Sequence, residues 1–160
     1  MRACWLKWVG RDWSISADYI WLNYSDANSA ARALSNCPIS WVKHEAANAG
    51  NPYFNQLISV GGMESYGRYW RLVELLSNTT THAIPREGEQ GYRGFQLGLH
   101  FNCPEEYEAF IATLIDLELV TVGSSGRRGM PLVDESALAI GKARLNGSKG
   151  GRTAARNRQR

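Results

Sequence analysis

The chain has 160 residues, 44% of them hydrophobic and 21% charged, which is enough for one folded domain with extensions. No apolar run approaches the roughly 18 residues that cross a bilayer, and the start lacks the uninterrupted apolar stretch of a signal peptide, so we expect a cytoplasmic protein without a membrane partner. Three scattered cysteines are an odd number and do not indicate a disulfide framework.

Basic residues are concentrated at the end of the chain. Residues 142–160 hold seven of the 18 Lys and Arg and none of the 15 Asp and Glu, so residues 1–141 have a formal charge of −4 and the rest a charge of +7. Since Leu145 is the only large apolar residue of this segment, the sequence predicts a flexible basic tail. Such an arm suits a polyanion, because each neutralised phosphate releases condensed counterions; a solubilising tail is the alternative. The candidate DNA-binding residues of the tail are Lys142, Arg144, Lys149, Arg152, Arg156, Arg158 and Arg160.

The N-terminal part is rich in tryptophan, and we treat residues 1–40 as a Trp-rich extension. Trp5, Trp8 and Trp13 either pack an N-terminal strand onto the domain or contact a partner, since Trp is favoured at interaction hot spots. A short helix from Ala27 to Leu34 is predicted after an Asp cap.

Two helices are predicted between residues 51 and 77. Asn51 followed by Pro52 is a good N-cap and first-turn pair, and the helix that it opens ends at Gly61 and Gly62. In the next segment, ESYGRYWRLVELLS, large apolar residues fall on one stripe at helical spacing and predict a core helix. These residues are Tyr66, Tyr69, Trp70, Val73 and Leu76.

The polar side of that second helix carries two arginines. Glu64 stands four residues before Arg68, and Glu74 three residues after Arg71, so both arginines are predicted to form ion pairs along the helix. Arg68 and Arg71 are also candidate phosphate contacts, although the ion pairs explain them without a ligand.

The remaining elements alternate between helix and strand. Residues 78–94 predict a loop that leads to a short strand, Phe95 to Leu99. Asn102 and Pro104 open a second amphipathic helix, which the extended LELVTV, a glycine-rich GSSGRRG turn and a returning MPLV strand follow. A last helix is predicted from Asp134, fading near Asn146 and Gly147. The apolar stripe of the second amphipathic helix is Tyr107, Phe110, Ile111 and Leu114.

This order of elements is that of a winged helix, a variant of the helix-turn-helix. We therefore predict an α+β fold that is mainly α, with a winged-helix domain over residues 41–141, a C-terminal β-hairpin wing and a disordered basic tail over residues 142–160. Arg127 and Arg128 are predicted at the tip of the hairpin, where they either contact phosphates or the minor groove or belong to a solvated turn.

The helix before the hairpin is a poor recognition helix. Its exposed side carries Glu105, Glu108 and Asp116 and no Lys or Arg. Carboxylates are repelled by a phosphate lattice, so DNA contact is expected from the wing and the tail instead.

The segment from Trp41 to Ser77 resembles the opening of the N-terminal domains of phage and mobile-element replication initiators related to DnaD-like replisome organisers. The PEEYEAFIATLIDLELV and RLNGSKGGR segments are similar to the later helix and the basic linker of that family, so the resemblance covers roughly residues 41–152. It implies a winged-helix protein that binds DNA in replication initiation in a bacterial host cell, with a helicase loader or another replisome protein as a further partner. Its specific part is a Gly-x-x-x-Tyr-Gly-x-Tyr-Trp-x-Leu-x-Glu-x-Leu pattern, matched by Gly62, Tyr66, Gly67, Tyr69, Trp70, Leu72, Glu74 and Leu76.

Enzyme and metal chemistry are not favoured. The sequence has no Walker A motif, no Gly-x-Ser-x-Gly elbow and no His-Glu-x-x-His helix. Cys37, His44, His100 and Cys103 could in principle form a zinc set, but buried cysteines and hydrogen-bonded histidines explain them better. We expect no catalytic residue, cofactor or metal. Two other functions stay open, a protein-interaction adaptor of the replisome or host factors and a transcriptional regulator on the same fold.

Overall fold

The computed structural model describes residues 27–158, which are mainly helical with one small antiparallel sheet. The predicted Trp-rich extension falls largely on residues 1–26, outside the described residues. The elements, in chain order, are α1 (Ala27–Ser35), a 3-10 helix (Ala46–Gly50), α2 (Pro52–Ser77), α3 (Tyr92–Gly98), α4 (Pro104–Asp116), β1 (Thr121–Val122), β2 (Arg128–Gly129) and α5 (Pro131–Arg158).

Helix α2 combines the two helices that the sequence predicts before residue 78. The Asn51 side chain caps its start by accepting a hydrogen bond from the backbone N–H of Tyr53 at 2.9 Å, and Pro52 occupies the first turn, as predicted. The predicted break at the glycine pair is a kink, since Gly62 has a φ of 68° that a residue with a side chain rarely adopts. Phe54, before the kink, packs edge-on to Tyr69, after it, with ring centroids 4.9 Å apart.

The core lies between α2 and α4, and both predicted apolar stripes are confirmed. Tyr69, Val73 and Leu76 of α2 are buried, while the outer members of the stripe, Tyr66 and Trp70, are half-buried against them. All four stripe residues of α4 are buried: Tyr107, Phe110, Ile111 and Leu114. Burial of large side chains on one face of each helix is the main force that holds the domain together.

The predicted strand over Phe95 to Leu99 is wrong, because this segment belongs to α3 and the turn that ends it. Phe95 and Leu99 are four residues apart and both buried, which is a helical rather than a strand spacing. Gly98 lets α3 approach α2, since a Cβ there would lie 3.0 Å from a methyl group of Leu75. Gly98 therefore serves close packing of two helices.

A hairpin is present, but it is shorter than predicted and its second strand is Arg128–Gly129. The predicted MPLV strand is wrong, because Pro131 to Val133 form the start of α5. Thr121 pairs with Gly129 and Val122 with Arg128 in antiparallel register. The predicted loop before α3 adds a β-bridge to this sheet, because the Ile84 N–H donates to the Arg128 carbonyl oxygen at 2.8 Å. The order across the sheet is thus β1, β2 and the bridge at Ile84.

The predicted flexible tail from residue 142 is corrected by the structure, in which this segment continues α5 to Arg158. The first half of α5 is anchored, since Val133 and Ala137 are buried in the core and Leu145 is buried against Leu34 of α1. Composition alone does not reveal this, because helix propagation from an anchored start is easier than helix nucleation in an isolated segment.

Helices α1 and α5 approach each other closely at Gly141, where a Cβ would overlap the carbonyl oxygen of Ala31. Within residues 27–158, no helix is both long and apolar enough to cross a membrane.

We expect Gly141→Ala to lower the free energy of unfolding by about 1–3 kcal/mol, because the added methyl group forces α5 away from α1. The matched control is Gly147→Ala in the same helix, where nothing lies within 4 Å of the added Cβ, and it should leave stability unchanged or raise it by up to about 1 kcal/mol. Urea unfolding followed by circular dichroism measures both. Equal effects of the two substitutions would contradict the described packing of α1 on α5.

Candidate nucleic-acid interface

The cations of α5 divide into two groups along the helix. Lys142 is exposed, whereas Arg144 donates from Nη1 to the Leu34 carbonyl oxygen at 2.9 Å and contacts the Cys37 sulfur. Arg144 therefore satisfies a carbonyl near the C-terminal end of α1, where positive charge meets the helix dipole favourably. Arg144 therefore has a structural role, because its contacts hold α1 to α5.

The second group follows Leu145, the last residue of α5 that is described as buried. No acidic residue occurs from residue 142 to the end of the chain, so this end of the helix is purely cationic. Arg160 lies outside the described residues. The cations of the described helix beyond Leu145 are Lys149, Arg152, Arg156 and Arg158.

Arg127 is turned back onto the domain. Its Nη2 lies 2.6 Å from Asp134 Oδ1 and its Nη1 lies 3.0 Å from Asp134 Oδ2, a two-pronged ion pair with the first turns of α5. The same Nη2 also donates to the His82 carbonyl oxygen at 2.7 Å. Arg127 thus ties the hairpin to α5 and to the loop before Ile84.

Arg128 lies inside the domain, in strand β2, and is 8% exposed. Its Nη1 lies 2.6 Å from Glu108 Oε2 of α4, and its Nη2 donates to the Pro85 carbonyl oxygen. Tyr92 and Tyr107 form the adjacent wall, with ring centroids 5.2 Å apart. Burial raises the pKa of both phenols, so they stay neutral beside the ion pair.

The predicted placement at the tip of the hairpin is therefore wrong for Arg128, which lies in β2. Arg127 lies in the loop between β1 and β2, but Asp134 and the His82 carbonyl hold its guanidinium group. The tip is formed by the exposed Ser124 and Ser125 and the positive-φ Gly126. Strand pairing at Val122 and Ile84 brings Arg128 into the sheet, which the spacing of residues in the turn does not reveal. A role of either arginine in DNA binding stays a prediction, and their internal ion pairs do not favour it.

Arg68 and Arg71 form the predicted ion pairs, at 2.7 Å from Glu64 and 2.7 Å from Glu74. Arg68 also donates from Nε to the Leu99 carbonyl oxygen at 3.2 Å and lies over the Phe101 ring, 4.1 Å from its centroid. Both arginines contact the end of α3, since Arg71 Nε donates to the Gly98 carbonyl oxygen at 3.4 Å. These contacts support their structural interpretation over phosphate binding.

The exposed side of α4 is acidic, as the sequence indicates. Glu105, Glu106 and Asp116 are exposed, whereas Glu108 is turned toward Arg128. The net charge that α4 presents outward is therefore negative, and α4 does not favour contact with phosphates.

Two exposed arginines were missed by the sequence analysis. Arg86 lies beside the hairpin tip, where a Cβ on Gly126 would overlap its guanidinium group, and the two residues line a cleft of about 250 Å³. Arg93 is exposed on α3. Among residues 27–158 neither forms a salt bridge within 4.0 Å. Contacts between distant segments, the bridge at Ile84 and the bond from Arg128 to the Pro85 carbonyl, bring Arg86 to the hairpin, so no local pattern could have revealed it.

His82 is a buried titratable group next to the Arg127 contacts. Its ring Nε2 lies 3.1 Å from the Cys37 carbonyl oxygen, in the wall of an open cavity of about 660 Å³ between α1 and α5. Burial lowers the pKa of His82, while the Cys37 carbonyl and Asp134 oppose that effect and Arg127 adds to it. In the described part of the chain, no three His, Cys, Asp or Glu residues come together as a metal site.

We expect Arg128→Gln to lower the free energy of unfolding by about 2 kcal/mol, because it leaves Glu108 and the Pro85 carbonyl without their partner. The value is below that of a fully buried pair because the Glu108 side chain is 39% exposed. Arg71→Gln is the control for an exposed pair and should cost less than about 1 kcal/mol in urea unfolding. Similar losses for both variants would contradict the structural role of Arg128.

Stability should fall below about pH 6.5, because His82 has a lowered pKa in the folded state and protonation favours the unfolded chain. The stabilisation is fully present above the unfolded pKa and is lost as the pH falls toward the folded pKa. His82→Gln removes this titration, so its free energy of unfolding should change less between pH 7.5 and pH 5.0 than that of the wild type. Parallel pH profiles for the two proteins would rule out His82 as the source.

Comparison of the chain with models of protein families, with curated proteins and with solved structures finds no match. The resemblance to replication initiators stays a prediction from the sequence, and the function is argued from the arrangement of charges and elements described above.

Proposed function

We propose that the protein is a non-catalytic DNA-binding protein of phage or mobile-element replication initiation, with a winged-helix body and a cationic helix as its nucleic-acid contact. The observation that carries this proposal is the concentration of positive charge, without a single acidic residue, on the part of α5 that extends past the last described packing contact with α1.

The order of elements supports the winged-helix part. The end of α2 is followed by the bridge at Ile84, then by α3, α4 and the hairpin of β1 and β2. A helix, an extended segment that bridges to the last strand, two helices and a two-stranded wing is the arrangement expected of that fold.

The distribution of charge supports contact with the phosphate backbone over reading of bases. The acidic exposed side of α4 disfavours this helix in the major groove, and the hairpin arginines already bind carboxylates of the domain. The α5 cations have no acidic neighbours in sequence, so they suit phosphates and release of counterions. Binding through phosphates is largely independent of base sequence, which fits a protein positioned by other factors at an origin better than a transcriptional regulator.

A protein-interaction adaptor is the second candidate, and large exposed apolar side chains favour it. Val60 and Met63 flank the kink of α2 and are 69% and 65% exposed, and Trp41 is 61% exposed. Exposed apolar groups of this size are common at contacts between proteins.

Replacing Lys149, Arg152, Arg156 and Arg158 together by Gln should weaken binding to mixed-sequence duplex DNA and make it less sensitive to salt. In a plot of the logarithm of the binding constant against the logarithm of salt concentration, the slope should become shallower by about 0.9 for each lost phosphate contact. Fluorescence anisotropy over a salt series measures both effects. Substitution is preferable to truncation after Gly141, which would also remove the buried Leu145.

The matched control replaces four other basic residues outside α5, all exposed, and changes the net charge equally: Arg32, Lys43, Arg86 and Arg93 to Gln. We expect the control to retain most of the affinity. Equal losses would assign binding to net charge rather than to α5, and no salt-dependent binding by the wild type would favour the adaptor.

A further inference from the structure

His82 binds three separate parts of the chain. Its ring Nε2 lies 3.1 Å from the Cys37 carbonyl oxygen, just after the end of α1. Its backbone N–H donates to Thr79 Oγ1 at 3.0 Å, and its carbonyl oxygen accepts from Arg127 Nη2 at 2.7 Å. His82 therefore connects the end of α1 to the loop after α2 and to the hairpin.

The backbone of His82 is strained. Its φ of 48° lies in the left-handed region, which is unfavourable for a residue with a Cβ atom. Such a conformation persists only while the surrounding contacts hold it. Loss of the bond to the Cys37 carbonyl would therefore favour a rearrangement of this residue.

The His82 ring lies beside space into which it can turn. The residue is 3% exposed and belongs to the wall of the open cavity of about 660 Å³ between α1 and α5. The residues that line this cavity come from α1, from α5, from the loop before Ile84 and from the hairpin loop. The ring can therefore leave Cys37 and reach water without a change in the core between α2 and α4.

Protonation places a charge on the ring that the closed arrangement does not favour. A carbonyl oxygen only accepts hydrogen bonds, so Nε2 already carries its hydrogen and a further proton enters at Nδ1. Burial is the largest effect and lowers the pKa of His82, although the Cys37 carbonyl and Asp134 oppose it.

The other charged groups around the ring do not offset this effect. Two cations and two carboxylates line the cavity, and the Cys37 thiol contacts Arg144. The charged ring is therefore better accommodated in water than in its buried position. The four charged side chains are Arg32 of α1, Arg127 of the hairpin loop, and Asp134 and Glu135 of α5.

We propose that His82 is a pH-sensitive switch: protonation of its ring breaks the bond to the Cys37 carbonyl and turns the ring into the cavity, while the core stays folded. The change is local, because the Ile39 N–H still donates to the Ser77 carbonyl oxygen and Leu145 still packs on α1. Acidification thus opens the cavity between α1 and α5. This inference does not depend on the proposed DNA-binding function.

A titration of the full chain followed by NMR, from pH 7.5 to about pH 4.5, tests the proposal. The His82 ring signals should move with a midpoint below about pH 6.5, the value for an unperturbed histidine. The ¹³C signal of the Cys37 carbonyl should move with the same midpoint, because it loses its hydrogen bond. The amide signals of Leu72 and Ile111, which are fully buried in α2 and α4, should keep their positions.

Two substitutions identify the responsible side chain. His82→Gln retains an N–H donor for the Cys37 carbonyl but does not titrate, so the carbonyl signal should stay constant. His100→Gln is the matched control, because His100 also has a positive φ, of 58°, but is exposed and does not line the cavity. This control should respond to pH as the wild type does.

A Cys37 carbonyl signal that stays constant while the His82 ring titrates would overturn the proposal, because the ring would then be protonated in place. A ring that titrates only as the native core signals disappear would also overturn it, since His82 would then report global unfolding. A carbonyl signal that still moves in His82→Gln would assign the change to another group. If that variant does not fold, the wild-type titration still decides, and a shared midpoint in the folded protein supports the proposal.

Discussion

The guanidinium group of Arg128 joins three parts of the chain that are distant in sequence. It binds Glu108 of α4 and the carbonyl of Pro85, and its own backbone pairs with Ile84 and Val122. Without this contact, a sheet of a few residue pairs would have little to orient it, because isolated two-stranded sheets are marginal in water. The hairpin, α4 and the loop before α3 thus form one unit through a single buried cation.

Arg127, the neighbour of Arg128, also joins segments that are distant in the sequence. Its ion pair with Asp134 fixes the start of α5 against the hairpin, and its bond to the His82 carbonyl fixes the loop that approaches α1. Two adjacent arginines therefore hold elements of the domain together, and the cations without acidic neighbours in the sequence lie in α5 from residue 142 onward. The chain thus combines an acidic body with a cationic end of α5.

Much of the fold could be predicted from local pattern. The stripes of α2 and α4 were readable because their large residues recur at helical spacing, and the cap of α2 because Asn51 precedes Pro52. The strand predicted over Phe95 to Leu99 is a helix instead, and the contact of Gly98 with Leu75, which packs this helix on α2, joins segments distant in the sequence. The destination of the Arg128 side chain was not predictable, since it depends on strand pairing with Ile84, a contact between distant segments.

The prediction for the basic segment erred for a related reason. An argument from composition treats the basic segment as an independent peptide. In the structure, residues 142–158 continue a helix that begins at Pro131 and is held by Leu145. Helix formation depends on what precedes a segment as well as on its own residues.

The length of α5 has an electrostatic consequence for the whole molecule. Residues 146–158 span about 20 Å as a helix, more than twice the Debye length of about 8 Å at physiological ionic strength. A polyanion held at the far end would therefore be screened from most of the acidic side chains of the body. The length of the helix keeps such a polyanion away from the acidic side chains of the body. Each turn removed would bring these like charges about 5 Å closer together.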